Sequence, residues 1–215
     1  MKRTERKHLK EDQFASGLQR FLHFLGVYKM WLIVSVGIVL VGALIFFGAR
    51  FLQGKALENR GRAEAEILEL YNTLEKNPDH AARLEEWSVK GRSGRLAGLL
   101  LAGHWVDKGN LEKAEGILSQ VPESPKDFLY YQVQDLLGQV YFQRRDYDKA
   151  IEVYKAIQAD NPKDFAMDVV LFHLAEALEK KGQKSEALSL YKKIQDEFVE
   201  GVFSDQAAQK VRELE

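Results

Sequence analysis

The 215-residue sequence has no cysteine, so disulfide frameworks, thiol nucleophiles and zinc sites built on cysteine are excluded. An oxidising compartment is compatible with that lack and not required by it. Neither sign of charge is in excess: 31 Lys and Arg face 32 Asp and Glu. A general nucleic-acid binder would need a surplus of positive charge on one face. Proline is scarce. The four prolines stand at 78, 122, 125 and 162, and they read as breaks between helices rather than as a Pro-rich linker.

Catalytic constellations are missing as well. The five histidines, at 8, 23, 80, 104 and 173, never come at i, i+4 with the Glu of a zinc-protease helix. His104 and His173 fall within expected helices and read as packing residues. Gly91-Arg92-Ser93-Gly94 lacks the Gly-Lys-Ser/Thr ending of a phosphate-binding loop, so a basic turn is expected there. The carboxylates of Glu85-Glu86 and of Asp146 and Asp148 read as solvated faces, because nothing desolvates or pairs them for acid–base work. No nucleophile elbow occurs. The expectation is a protein that is not an enzyme, with no catalytic, metal or cofactor residues, no cofactor and no small-molecule substrate.

What the chain does have is a long apolar run. Residues 30–49, MWLIVSVGIVLVGALIFFGA, carry no charge. A helix of that length spans about 30 Å, the thickness of a hydrocarbon core. Tyr28 and Trp31 lie at one end, where amphipathic rings settle at headgroup level. A buried core helix and a cleaved signal peptide are the alternatives. The polar leader is long for a signal peptide and no A-x-A-like site closely follows, so an uncleaved anchor is expected. Seven Lys and Arg fall within residues 1–29, which orients that leader to the cytoplasm and residues 50–215 to the outside. Within the leader, Phe14, Leu18, Phe21, Leu22 and Leu25 form a helical stripe, with Lys10 and Arg20 placed for anionic headgroups. The stripe suits lipid or a partner's membrane helix equally.

Beyond the run the sequence repeats. GNLEKAEGILSQV (109–121), RDYDKAIEVYKAI (145–157) and GQKSEALSLYKKI (182–194) superimpose on Ala114, Ala150 and Ala187. Four residues later come Leu118, Tyr154 and Tyr191, then Val121, Ile157 and Ile194. Upstream stand Leu101-Ala102, Leu137-Gly138 and Leu174-Ala175, followed by Trp105, Tyr141 and Leu178. A small residue on each helix lets two helices approach closely, and a large one a turn away fills the space beside it. Each hairpin leaves an apolar face that only a neighbour can cover, so such units stack.

The pattern Leu137, Gly138, Tyr141, Ala150, Tyr154 and Pro162 resembles a tetratricopeptide repeat, with 131–164 as the best unit and looser ones at about 95–127 and 168–201. The steps of 36 and 37 residues exceed the usual spacing of about 34. The expected organisation is all-α. A basic amphipathic leader (1–29) precedes a single transmembrane helix (30–49) and a helical linker with a degenerate first hairpin (50–94). A solenoid of three repeats (95–203) and a C-terminal capping helix (204–215) complete it. The linker helix is expected over 55–76, closing at Asn77-Pro78, with a second helix over 81–89; Ser204 is expected to cap the last one.

The plan of MKRTERKHLK leader, one span, helical linker and then KGRSGRLAGLLLAGHWVDKGNLEKAEGIL is similar to the ancillary SecYEG translocon subunit (YfgM-like) family of bacterial membrane-anchored tetratricopeptide proteins. That resemblance implies an inner-membrane protein whose repeat domain lies in the periplasm, with the translocon and periplasmic chaperones as partners. In stacked repeats the first helices line the concave surface. Gln132, Asp135, Gln139, Phe142 and Gln143, and in the next unit Val169, Phe172, Glu176 and Glu179, are therefore the expected protein-binding residues. Such a groove suits an extended or helical peptide. The basic-and-Asn clamp by which some family members hold a C-terminal carboxylate is absent, because Asp135 and Gln139 occupy those places. The functional expectation is an anchored protein–protein interaction scaffold. The alternatives are an envelope assembly factor for cell division or outer-membrane machinery and, from another class, a hydrolase with a hidden site.

Overall fold

A computed structural model describes the backbone of residues 3–215, and the side chains from His23 onward except those at 24, 25, 29, 32 and 36. The expected leader stripe of Phe14, Leu18, Phe21, Leu22 and Leu25, with Lys10 and Arg20, lies outside the described side chains. Every regular element among the described residues is a helix: α1 (Arg3–Asn72), α2 (His80–Ser88), α3 (Gly91–Asp107), α4 (Leu111–Leu118), α5 (Phe128–Gln143), α6 (Tyr147–Asp160), α7 (Met167–Lys180), α8 (Lys184–Glu197) and α9 (Ser204–Leu214).

The chain divides into two compact units, Met1–Asn59 and Arg60–Glu215. The first contains the apolar stretch of α1. Its described large side chains are open, Trp31, Leu44 and Phe47 each around 70% exposed (73%, 74% and 69%). The only helix among the described residues long and apolar enough to cross a membrane is this one. An unburied apolar surface of this extent marks contact with lipid or another protein.

The second unit is a run of helix hairpins. Ile67, Leu70 and Leu74 pack with Leu84 of α2, Leu101 of α3 and Leu118 of α4, in a core that reaches Val133 and Val140 of α5. A second core joins Ala150 and Tyr154 of α6 to Leu174 and Ala175 of α7, Tyr191 and Ile194 of α8, and Ala207 and Val211 of α9. The expected small positions Ala102, Ala114, Ala150, Ala175 and Ala187 are all fully buried. Where Gly138 faces Tyr154, an added Cβ would stand 2.5 Å from the phenol ring. Here the small residue is needed because the large one of the next helix occupies its side-chain space.

Three of the connections between helices, those within the hairpins α3–α4, α5–α6 and α7–α8, are the same turn repeated. Gly109 (φ +74°), Arg145 (φ +64°) and Gly182 (φ +89°) adopt the left-handed conformation. The following amides of Asn110, Asp146 and Gln183 donate to the carbonyls of Trp105, Tyr141 and Leu178 at 2.8, 2.9 and 2.9 Å. That is the six-to-one bond of a Schellman ending, which satisfies carbonyls the helix leaves open. Asn110 and Asp146 then cap the next helices by accepting from Lys113 N and Lys149 N. Asn161, in the left-handed conformation at φ +45°, closes α6 immediately before Pro162.

A buried arginine ties the first hairpin to the second. Arg95, with a fully buried side chain, donates through Nε to the Pro122 carbonyl (2.9 Å) and through Nη1 to Asp127 Oδ1 (2.8 Å). Asp127 also takes Arg92 Nε and, as the N-cap of α5, the Tyr130 amide. Burial works against the charged carboxylate, but the bonds from Arg92 and Tyr130 and the Arg95 charge outweigh it and hold Asp127 below its ordinary pKa.

Four local expectations are corrected. Gly91–Gly94 is not a turn but the first turn of α3, whose Gly94 lies too close to the Trp87 and Ser88 carbonyls for a side chain. The linker helix stops at Asn72 rather than 76, because Thr73 to Asn77 fold into tight turns ahead of Pro78. The second linker helix covers His80–Ser88 instead of 81–89. Ser204 begins α9 without a side-chain capping bond.

Candidate protein-binding cleft

The first helices of the second and third hairpins, α5 and α7, stand on either side of α6, and a cleft of 240 Å³ opens between them. It is lined by Gln139, Phe142 and Gln143 of α5, Tyr154 of α6, and His173 and Glu176 of α7. Repeat spacing places these side chains together. A helix presents i, i+3, i+4 and i+7 on one face, so Gln139, Phe142 and Gln143 share a face of α5, and His173 and Glu176 share one of α7.

Asp135 organises the floor. It is buried, at 8% exposure, and its carboxylate accepts from Gln139 Nε2 at 2.8 Å and His173 Nδ1 at 2.9 Å. A carboxylate can only accept, so His173 carries its proton on Nδ1. The Asp135 carbonyl takes the Tyr154 hydroxyl at 3.5 Å. Burial, with the nearby Asp135 and Glu176 charges, pushes the Tyr154 phenol far up, so it remains a neutral wall. Phe142 meets Tyr147 edge-on at 5.6 Å.

Of the nine expected residues, four line the cleft: Gln139, Phe142, Gln143 and Glu176. Gln132 and Val169 are half-buried outside it. Asp135 lies beneath the floor instead of in the open groove. Phe172 is likewise packed away, 5% exposed and stacked on Phe203 at 4.3 Å, because α9 and the loop before it fold over that side of α7. Glu179 accepts from Tyr191 Oη (3.0 Å) and Lys210 Nζ (3.1 Å), which spends it on holding α9. Tyr154 and His173, read from the sequence as packing residues, do pack on each other, with rings 5.6 Å apart, and also line the cleft. Their polar termini were the available signal.

Several other polar groups flagged in the sequence have structural partners. His80 bonds Thr73 Oγ1 at 2.8 Å, and His104 packs on Trp105, 5.2 Å between rings. Asp148 pairs with Lys181, and Asp146 caps α6.

Residues 23–166, about two thirds of the chain, match the tetratricopeptide repeat-like domain. The chain belongs to that family. Residues 136–198 also match a tetratricopeptide repeat, so the two matched regions together run from within α1 through α8. Two solved structures are similar to this chain. The MamA RS-1 ArsTM double mutant is 16% identical with a TM-score of 0.49, over 71% of this chain and 94% of that one. MamA AMB-1 is 18% identical with a TM-score of 0.44, over 69% and 96%. No curated protein matches significantly. Tetratricopeptide domains bind other proteins.

Proposed function

We propose that this protein is a membrane-anchored scaffold of the bacterial cell envelope that holds partner proteins through its tetratricopeptide unit. The carrying observation is the joining of an unburied apolar helix, long enough to span a bilayer, to a repeat unit with an open polar and aromatic cleft. Residues 30–49 cross the inner membrane, the basic leader of residues 1–29 stays in the cytoplasm, and the repeats stand in the periplasm. The basic leader supports that orientation. The resemblance to the ancillary translocon subunits supports SecYEG and periplasmic chaperones as partners.

The test is a photo-crosslinking amino acid at Gln143, on the cleft rim, in the full-length protein in living cells. Adducts with a translocon subunit or a periplasmic chaperone are expected. Adducts with division or outer-membrane assembly components would replace the translocon reading with that of an assembly factor. Self-adducts alone, or none, would overturn the scaffold.

A further inference from the structure

We propose that the cleft between α5 and α7 receives one basic side chain, carried on an extended segment of a partner protein, with Glu176 as its counter-charge. The proposal rests on the protein-binding reading above and specifies its chemistry.

The argument is one of unmatched charge. This face presents three carboxylates. Asp135 is matched by His173 and Gln139, and Glu179 by Tyr191 and Lys210. Glu176 has neither a hydrogen bond nor an ion pair among the described residues, although it is half-buried in the cleft wall. Half-burial without a partner disfavours the charged carboxylate, and its pKa lies above the ordinary value for that reason, with His173 and Lys210 opposing only in part. A cation delivered from outside would restore what burial removed.

The neighbouring groups are acceptors too. Gln139 is turned so that its amide nitrogen serves Asp135, which leaves its carbonyl oxygen without a donor among the described residues. The Tyr154 hydroxyl is spent on the Asp135 carbonyl. The cleft therefore offers a carboxylate and an amide oxygen, between the rings of Phe142 and Tyr154. A guanidinium fits that set best: it has several fixed N–H donors, no acceptor, and a flat face that stacks on aromatic rings. The volume of 240 Å³ admits a long side chain, not a second helix. An acidic terminus, the ligand of the basic clamp this chain lacks, would meet repulsion.

A linear seven-residue display library, selected on the full-length protein in lipid nanodiscs, tests this. Selected peptides should carry Arg or Lys at one fixed position. Glu176→Gln, and separately the Arg→Gln change in the best peptide, should each weaken binding about tenfold or more, the worth of a charge-assisted hydrogen bond. Applied together they should cost little beyond either alone. The melting temperature of Glu176→Gln should match or exceed that of wild type, because a neutral amide suits the half-buried position better at neutral pH. Selected peptides without basic residues, additive losses, no selected peptide at all, or a lowered melting temperature would each overturn the proposal. In any of these cases, crosslinks from Gln143 to another protein would leave the scaffold reading standing; without them both fall.

Discussion

Replacing Gly138 by alanine sets two effects of opposite sign against each other. In the interior of α5, alanine is favoured over glycine by about 1 kcal/mol of helix propensity. The new methyl would stand 2.5 Å from Tyr154 Cζ, 2.7 Å from Cε1 and 2.9 Å from the hydroxyl, where carbon atoms normally stop at about 3.5 Å. Tyr154 cannot retreat into solvent, since it is 1% exposed and its ring lies 5.6 Å from that of His173, which holds Asp135. Overpacking of such a site costs about 3 kcal/mol, the upper part of its usual range. The net expectation is a loss of about 2 kcal/mol, a fall in melting temperature of about 4–8 °C for a unit of this size.

The assay is thermal and denaturant unfolding of the full chain in nanodiscs, followed by circular dichroism. Gly103→Ala and Gly116→Ala are the controls, since nothing lies within 4 Å of an added Cβ at either. Both should gain up to about 1 kcal/mol. Tyr154→Leu should make room, so that Gly138→Ala costs less in that background than in wild type. If Gly138→Ala alone were as stable as wild type, the close approach would not be why a glycine stands there, and the reasoning would fail.

Two further outcomes are expected. Arg145 holds the left-handed turn position that Gly109 and Gly182 fill in the flanking turns, and Arg145→Gly should stabilise by about 0.5–1 kcal/mol in the same unfolding assay; a loss would mean the arginine contributes something the turn does not require. Asp127 has its pKa lowered from 3.8 in the fold, so its contribution is present above about pH 3.8 and is lost as pH falls through the lower folded value. Asp127→Asn keeps a capping side chain but strands buried Arg95. It should cost about 3 kcal/mol at pH 7 and flatten the acid side of the stability profile, and an acid limb identical to that of wild type would refute the assignment.

The repeat was legible because the close packing of helix hairpins restricts side-chain size. Ala114, Ala150 and Ala187 recur at steps of 36 and 37 because each meets a neighbouring helix at full burial. The turns were less legible. Arg145 does what glycine does on either side of it, and nothing in its identity announces a left-handed backbone. Gly91–Gly94 misled in the opposite direction, since Gly91 takes a left-handed backbone at the helix start and Gly94 admits the Trp87 and Ser88 carbonyls against it. The cleft was half legible. Helical spacing placed Gln139, Phe142, Gln143 and Glu176 on the exposed faces of first helices, yet the same spacing included Asp135, Phe172 and Glu179, which the structure spends elsewhere.

The sequence by itself determined an all-helical repeat chain with a long apolar helix at one end, because hydrophobic periodicity and uninterrupted apolar length are local properties. Which polar side chains stay free was decided only by tertiary structure. Lys210 of α9 reaches Glu179, 31 residues away, and His173 reaches Asp135, 38 residues away. Pairing between residues so far apart depends on how the hairpins stack, and it is that stacking which leaves Glu176 facing the cleft without a partner among the described residues.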